Sequence, residues 1–475
     1  MTQINDYINS LPDYDEKNVD ALFKEAAQNI PHKIISLDDD PTGVQTVHGV
    51  PVYTDWEEET IREAFEDARQ LVFILTNSRS FSEAETTKVH TDIAERIARV
   101  AEEKNQPFLL ISRGDSTLRG HYPLETEVLK DTLEARTGKA VDGEILLPFF
   151  EQGNRRTAFD VHYIQQGEAF IPVAETEFAS DRMFGFASSH LGEYVEEKTN
   201  GRFKKEDVIS ISIDELRALD FEAIEAKLEQ AASFQKIIVN AVSETDVKVF
   251  CTALFRSVQH QKNFLFRTAA TFTKEIGGIT RKPYLDAGSL FEHQSSNGGL
   301  IIIGSHVQKS TEQLEALKQL TDVQFVEFYC PAVMDEEAFQ RETRRVQQIV
   351  DDSIKRGTTV CVYTSRERID LGENRKEEEL ALSVKISDAV TNFVKNAAHQ
   401  PAFVVAKGGI TSSDVGTKGL LVKKAEVLGQ IAPGVPVWQT DANSRFPEIP
   451  YVIFPGNVGE KETLKDVVQT LQEHI

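Results

Sequence analysis

The sequence predicts an α/β protein of two domains, each built on a mainly parallel sheet flanked by helices. Three observations carry this expectation. The chain has 475 residues, more than one hydrophobic core ordinarily fills. Short β-branched runs alternate with longer helical patterns from end to end, as βαβ units require. The alternation loosens once, from 268 to 298, into a stretch rich in Gly, Ser and Thr. The expected division is therefore a first domain over 1–270, a linker over 271–298 and a second domain over 299–475.

In the first half the predicted strands are KIISL (33–37), LVFIL (71–75), PFLLIS (107–112), EILLPFF (144–150) and KIIVNAV (236–242). Helices are expected between them. Ile61, Ala64, Phe65 and Ala68 recur at helical spacing, and Ser82 with Glu85 reads as a capping box opening a helix through Val89, Ile93, Ile97 and Val100. The stretch from about 160 to 205 is less periodic and reads as a lid or long insertion. In the second half the strands are GLIIIG (299–304), TTVCVY (358–363), PAFVVA (401–406) and PYVIF (450–454), and Ser310 with Gln313 resembles a second capping box.

Composition narrows the function. Hydrophobic residues make up 40% and charged residues 27%, ordinary for a soluble globular chain. Lys and Arg number 52 against 76 Asp and Glu, so the formal charge of −24 disfavours nucleic acid and anionic membranes, both polyanionic partners. No run approaches the ~20 apolar residues of a membrane span, and the acidic start lacks the basic and apolar regions of a signal peptide. A cytoplasmic location is expected. Cys251, Cys330 and Cys361 are far apart, which points to neither a disulfide framework nor a C-x-x-C metal site, and Cys361 inside TTVCVY reads as a small core residue.

Open parallel sheets bind ligands beyond the carboxyl ends of their strands. In the first half those ends are polar: DDDPTG (38–43), TNSR (76–79), RGDSTLRG (113–120) and EQGNRR (151–156). Arg79, Arg113, Arg119, Arg155 and Arg156 suit forked hydrogen bonds to a carboxylate or phosphate. Asp39, Asp40 and Asp115 suit the hydroxyls of a sugar-like ligand, and one of them would receive a proton from an attacking hydroxyl. The bland alternative is that these arginines and aspartates only pair with one another to fix loops; four strand ends of one character favour the pocket. DDDPTG also admits a Mg²⁺ reading and a plain turn reading.

In the second half the strand ends differ in kind. SHVQKSTEQ (305–313), KGGITSSD (407–414) and PGNVG (455–459) are Ser- and Gly-rich turns, whose exposed backbone N–H groups suit phosphate. Neither a P-loop nor a G-x-G-x-x-G fingerprint is present. Cations for an acid in one half and backbone amides for phosphates in the other point to a kinase.

Taken together, DDDPTG, RGDSTLRG, KGGITSSD and PGNVG resemble the four-carbon acid sugar kinase family, which includes threonate, erythronate and 3-oxo-tetronate kinases, in the right order from about 33 to 470. The resemblance implies a sugar-acid-binding N-terminal domain, a nucleotide-binding C-terminal domain, an active site in the cleft between them, and ATP with Mg²⁺ as cofactors. It places D-D-x-T-G on Asp39, Asp40, Thr42 and Gly43, and K-x-D-S-T-x-R-G on Arg113, Asp115, Ser116, Thr117, Arg119 and Gly120. Asp40 and Asp115 would be catalytic; Asp39, Thr42, Arg79, Arg113, Ser116, Thr117, Arg119 and Arg155 would bind the acid. Nucleotide contacts would fall on Ser305, Gly408, Gly409, Ile410, Thr411, Gly456, Asn457 and Gly459. Metal ligands are not assigned, and family analogy points to a homodimer.

Three departures stand out: Arg113 replaces a common lysine, Val307 a common serine, and EAFIPVAETEFASD (168–181) lies where the tetronate kinases carry N-H-P-x-x-P-M. Two other readings stay open: a carboxylate kinase or ligase that forms an acyl phosphate, and a non-catalytic sensor of sugar acid and nucleotide.

Overall fold

A computed structural model describes residues 2–291, 294–366 and 375–473. The chain forms two compact units, Met1–Val47 with Asp55–Arg281, and His48–Thr54 with Lys282–Ile475. The segment 271–298 divides between them. Its helix Ala270–Ile276 lies in the first unit and its short helix Ala287–Leu290 in the second.

The strands in chain order are β1 (Lys33–Asp38), β2 (Val50–Tyr53), β3 (Leu71–Leu75), β4 (Phe108–Arg113), β5 (Gly143–Leu147), β6 (Arg155–Ala158), β7 (Val161–Gln166), β8 (Ala169–Pro172), β9 (Ile209–Ile211), β10 (Gln235–Val239) and β11 (Phe264–Thr268). β12 (Leu300–Ile303), β13 (Val323–Phe328), β14 (Thr359–Thr364), β15 (Val404–Lys407), β16 (Lys424–Ala432), β17 (Val435–Thr440) and β18 (Pro450–Phe454) follow.

In the first unit seven strands run parallel in the order β3-β1-β4-β11-β5-β10-β9. β1, β3 and β5 are buried along their whole length, which is why they appear as continuous apolar runs rather than alternating ones. From β1 the chain passes to β3 on one side and then to β4 on the other, so the topological switch point lies between β1 and β4. Helix Glu83–Lys104 covers this sheet; Ser82 and Glu85 form the expected capping box, and Ile93, Ile97 and Val100 are fully buried. The weakly periodic stretch holds a small antiparallel sheet, β6-β7-β8, two 3₁₀ turns and helix Leu191–Lys198. Its apolar residues Ile164, Val173, Phe186, Leu191 and Tyr194 pack with Leu118, Leu146 and Ile238, so the insertion is part of the core.

In the second unit β13-β14-β12-β15-β18 are parallel, and β17, β16 and β2 continue the sheet with antiparallel pairing. β2 comes from early in the chain and completes this edge through pairs such as Ala425 with Val52. From β12 the chain passes to β13 and β14 on one side before crossing to β15 on the other, so the switch point lies between β12 and β15. Cys251, Cys330 and Cys361 are free and buried. Among the described residues no helix is long and apolar enough to cross a membrane.

Candidate active site

The polar cluster of the first unit sits at its switch point. Asp38 and Arg113 are paired residues of β1 and β4, and Arg113 Nε donates to Asp38 Oδ1 at 2.7 Å. The same guanidinium reaches Asp39 Oδ1 and Asp40 Oδ1, each at 3.3 Å. Arg79 grips Asp39 through two bonds, Nε to Oδ2 at 3.0 Å and Nη2 to Oδ1 at 2.7 Å, and also pairs with Asp40. Thr42 donates its backbone N–H to Asp40 Oδ1 at 2.8 Å, closing the DDDPTG turn. Gly43 packs onto Asp38: a Cβ there would meet its carboxylate at 2.1 Å.

Asp115 lies on the neighbouring loop, bonded by Thr117 and by Arg119 Nε at 2.7 Å. The Ser116 carbonyl accepts a bond from buried His162 Nε2 at 2.8 Å, while His162 Nδ1 accepts from the Thr157 hydroxyl at 2.9 Å. Arg119 stacks 4.8 Å from the Phe178 ring centroid, and Arg155 lies 5.9 Å from the same ring. Arg79, Arg113 and Arg119 all hold carboxylates, as the loop-fixing alternative requires. Arg155 does not: it makes no ion pair among the described residues, it donates to the Gly153 carbonyl, and its Nε is buried without a partner. Arg156 likewise makes no ion pair among the described residues and has a buried Nε without a partner, but it donates to the Val242 carbonyl at 2.6 Å. The cluster is therefore a self-paired frame around Asp39, Asp40 and Asp115, with Arg155 and Arg156 outside its ion pairs among the described residues and Arg155 the one that shares the Phe178 ring with Arg119.

The two proposed catalytic carboxylates share one electrostatic setting. Burial pushes Asp40 up, but Arg79, Arg113 and Thr42 outweigh it and hold the carboxyl below its usual range. Asp115 is likewise held well below that range, where Arg79, Arg119 and Thr117 prevail over burial. Asp38 behaves oppositely: burial lifts it to about 7, yet it is 1% exposed and closed off by Gly43, so no ligand reaches it. Among the described residues no group of three His, Cys, Asp or Glu side chains forms a metal site. Asp39 and Asp40 spend their oxygens on Arg79, Arg113 and Thr42, and the one unpartnered oxygen of DDDPTG, Asp38 Oδ2, is buried, so the motif presents no set of free carboxylates to a cation.

Sequence reasoning missed Arg267. It projects from β11 and bonds Glu125 Oε2 at 2.5 Å, Ser112 Oγ at 3.1 Å and the Arg119 carbonyl at 3.4 Å. A Cβ on Gly114 or Gly120 would strike its guanidinium at 2.4 and 2.5 Å, so both glycines of RGDSTLRG exist to admit Arg267.

In the second unit three loops meet at the switch point between β12 and β15. Ser310 Oγ donates to the Gly456 carbonyl at 3.2 Å and lies within hydrogen-bond distance of the Ser305 hydroxyl at 3.0 Å, from which it can accept. Gly408 adopts φ +125°, and a Cβ there would lie 3.0 Å from Ser305 Cβ and 3.1 Å from Thr411 Oγ1. A Cβ on Gly456 would lie 3.3 Å from Ser305 Oγ. Ser305, Gly408, Thr411 and Gly456 thus converge in a cradle without side-chain bulk, the shape that a polyphosphate fits. Gly409 has open space about it, Ile410 is 68% exposed and Asn457 is exposed. Gly459 packs instead on Thr463, at the start of helix Thr463–Gln472.

The expected capping box at Ser310 is corrected by the structure. The helix runs Gln308–Leu317 with Val307 at its N-cap, so Ser310 lies within it and faces the loops, while Gln313 bonds the carbonyls of Val458 and Glu460 at 3.1 and 2.8 Å. Arg366, also missed, follows β14 and donates to the Ser305 carbonyl at 2.7 Å.

Comparison with known proteins matches two family models in succession along the chain. Residues 34–276, just over half of the chain, match the family described as "Sugar-binding N-terminal domain", and residues 300–464 match "Nucleotide-binding C-terminal domain". No curated protein matches. Among solved structures, a protein of Salmonella typhimurium LT2 with a provisional name as a tRNA synthase has a TM-score of 0.67 at 14% identity, covering 92% of this chain and 98% of its own. Haemophilus influenzae protein HI1011, from a domain family of unknown function, has a TM-score of 0.61 at 15% identity, covering 92% of this chain and 100% of its own. At those identities the likeness is one of fold.

Proposed function

The chain belongs to the four-carbon acid sugar kinase family, with its sugar-binding and nucleotide-binding domains in order, and from that premise we propose that it uses ATP to phosphorylate a hydroxyl of a small, four-carbon sugar acid. One observation carries the reading. The sugar-binding unit places a guanidinium without a carboxylate, Arg155, beside Asp115 and Arg119, and the nucleotide-binding unit brings Ser305, Gly408, Thr411 and Gly456 together as a bare cradle.

In this mechanism Arg155 takes the substrate carboxylate, and Asp40 and Asp115 accept hydrogen bonds from substrate hydroxyls. Both are anchored by arginines and stay ionised, so they orient the attacking oxygen and receive its proton late, which suits a loose transition state needing little base strength. Bound ATP supplies the γ-phosphoryl group. The acceptor oxygen forms a bond to phosphorus as the bond to the β-phosphate oxygen breaks; ADP leaves, and the hydroxyl proton passes to the carboxylate and then to solvent. Ser305, Thr411 and the backbone around Gly408 and Gly456 hold the phosphates. Mg²⁺ belongs to this reading as a hydrated partner of those phosphates, with no step assigned to it.

The test is ADP release measured with threonate, erythronate, their 2-oxo and 3-oxo relatives and five-carbon acids. The reading requires turnover with at least one four-carbon acid. Ligand-induced thermal shifts without ADP from any of them would make the protein a sensor instead.

A further inference from the structure

Lys407 ends β15, immediately before the Gly408–Gly409 turn, and its side chain is 0% exposed. Its Nζ donates to the carbonyls of Pro455 at 2.9 Å and Gly456 at 3.3 Å and lies 4.2 Å from the Phe454 ring centroid. No carboxylate pairs with it among the described residues. Two other buried lysines are paired: Lys236 with Glu144, and Lys274 with Glu244 and Glu275. A buried ammonium without a counter-charge is costly, and carbonyls and a ring face lessen that cost without cancelling the charge.

The neighbouring charged groups do not supply the missing anion. Lys309, from helix Gln308–Leu317, is a second cation whose field opposes the first. Arg366 is engaged with the carbonyls of Ser305 and Thr364, and Asp414 with Lys418 and Ser387. The carbonyl of Gly456 that holds Lys407 also accepts from Ser310, so the ammonium lies under the same loops that form the bare cradle.

We infer that Lys407 is the buried cation of the nucleotide site: its ammonium, held beneath the cradle loops by the Pro455 and Gly456 carbonyls, finds its absent counter-charge in the field of a polyphosphate bound at those loops. The inference rests on the nucleotide reading above and adds a residue to it. Burial, reinforced by Lys309, lowers the group to about 7, so near neutral pH the free protein holds this proton only in part. Arrival of a polyanion restores it, and nucleotide binding takes up a proton.

Calorimetric titration of the full chain with ATP and with adenosine, at pH 7 in buffers of different ionisation enthalpy, tests this. Wild type is expected to take up a fraction of a proton with ATP. Lys407→Met is expected to bind ATP about 10-fold more weakly, the ratio for losing an opposite charge near the phosphates without direct contact, with adenosine affinity within about two-fold and no proton uptake. Lys407→Arg keeps a permanent charge, so it is expected to retain the preference for ATP over adenosine but lose the proton uptake. Equal loss of ATP and adenosine in Lys407→Met would make the residue merely structural, and undiminished ATP binding would remove it from the site; either overturns the inference and leaves the nucleotide reading standing. If wild type bound neither compound, the nucleotide reading itself would fall, and this inference with it.

Discussion

Arg113 of β4 and Asp38 of β1 are register partners in adjacent parallel strands, joined by a 2.7 Å bond from Nε to Oδ1. Through its remaining nitrogens Arg113 also reaches Asp39 and Asp40, so one buried guanidinium holds three consecutive carboxylates at the switch point of the sheet. Its role is to fix the frame of the site. Arg113→Met is therefore predicted to destabilise the fold by about 3–5 kcal/mol, because it leaves buried carboxylates uncompensated. Urea unfolding measures this, and a loss below about 1 kcal/mol would contradict it.

Arg155 is predicted to behave in the opposite way. With no ion pair to break among the described residues, Arg155→Gln should cost little stability. Its effect should fall on the sugar acid, raising KM about 10- to 100-fold, the ratio for losing a charge-assisted bond to a carboxylate. Steady-state kinetics beside urea unfolding separates the two residues; a large stability loss with unchanged KM would place Arg155 in the frame.

Asp115→Asn preserves shape and removes the charge that holds Thr117 and Arg119. Turnover is predicted to fall about 100-fold or more, in the range for a group that handles a transferred proton. Asp40→Asn, measured in parallel, ranks the two carboxylates. Transfer and substrate binding both unchanged in Asp115→Asn would remove that residue from the site.

His162 gives a pH prediction with a definite sign. Burial lowers it from its ordinary value of 6.5 to about 4 in the folded protein, where it sits neutral between Thr157 and Ser116. As pH falls below 6.5 the unfolded chain takes up this proton first, so its contribution is complete above 6.5 and is lost down to about pH 4. At pH 5 the loss from this group is about 2 kcal/mol. Comparing urea unfolding at pH 7 and pH 5 in wild type and His162→Gln isolates it: the variant should lose less between the two pH values, and equal losses would contradict the assignment.

The parts legible in the sequence were those with a local signal. Fully buried parallel strands stand out as apolar runs, and ligand sites follow their carboxyl ends, so the polar clusters after β1, β3, β4, β12, β15 and β18 were found. What escaped depended on pairing between distant segments. β11 is a five-residue run with nothing local to place it between β4 and β5, so Arg267 was missed with it. β2 joins a sheet whose partner strand lies far along the chain, at β16. Phe178 lies in a segment of irregular turns with no period to read. Lys407 did leave a trace, a charged residue closing an apolar strand, but only the structure reveals that it is buried and lacks a carboxylate among the described residues.

The most direct test of the central claim is ³¹P NMR of the products formed from ATP and the best acid of the panel, with and without hydroxylamine. The account predicts a phosphomonoester resonance that grows in step with ADP and survives hydroxylamine. A hydroxamate formed in its place would mean that the carboxylate, and not a hydroxyl, had taken the phosphoryl group, and would contradict it.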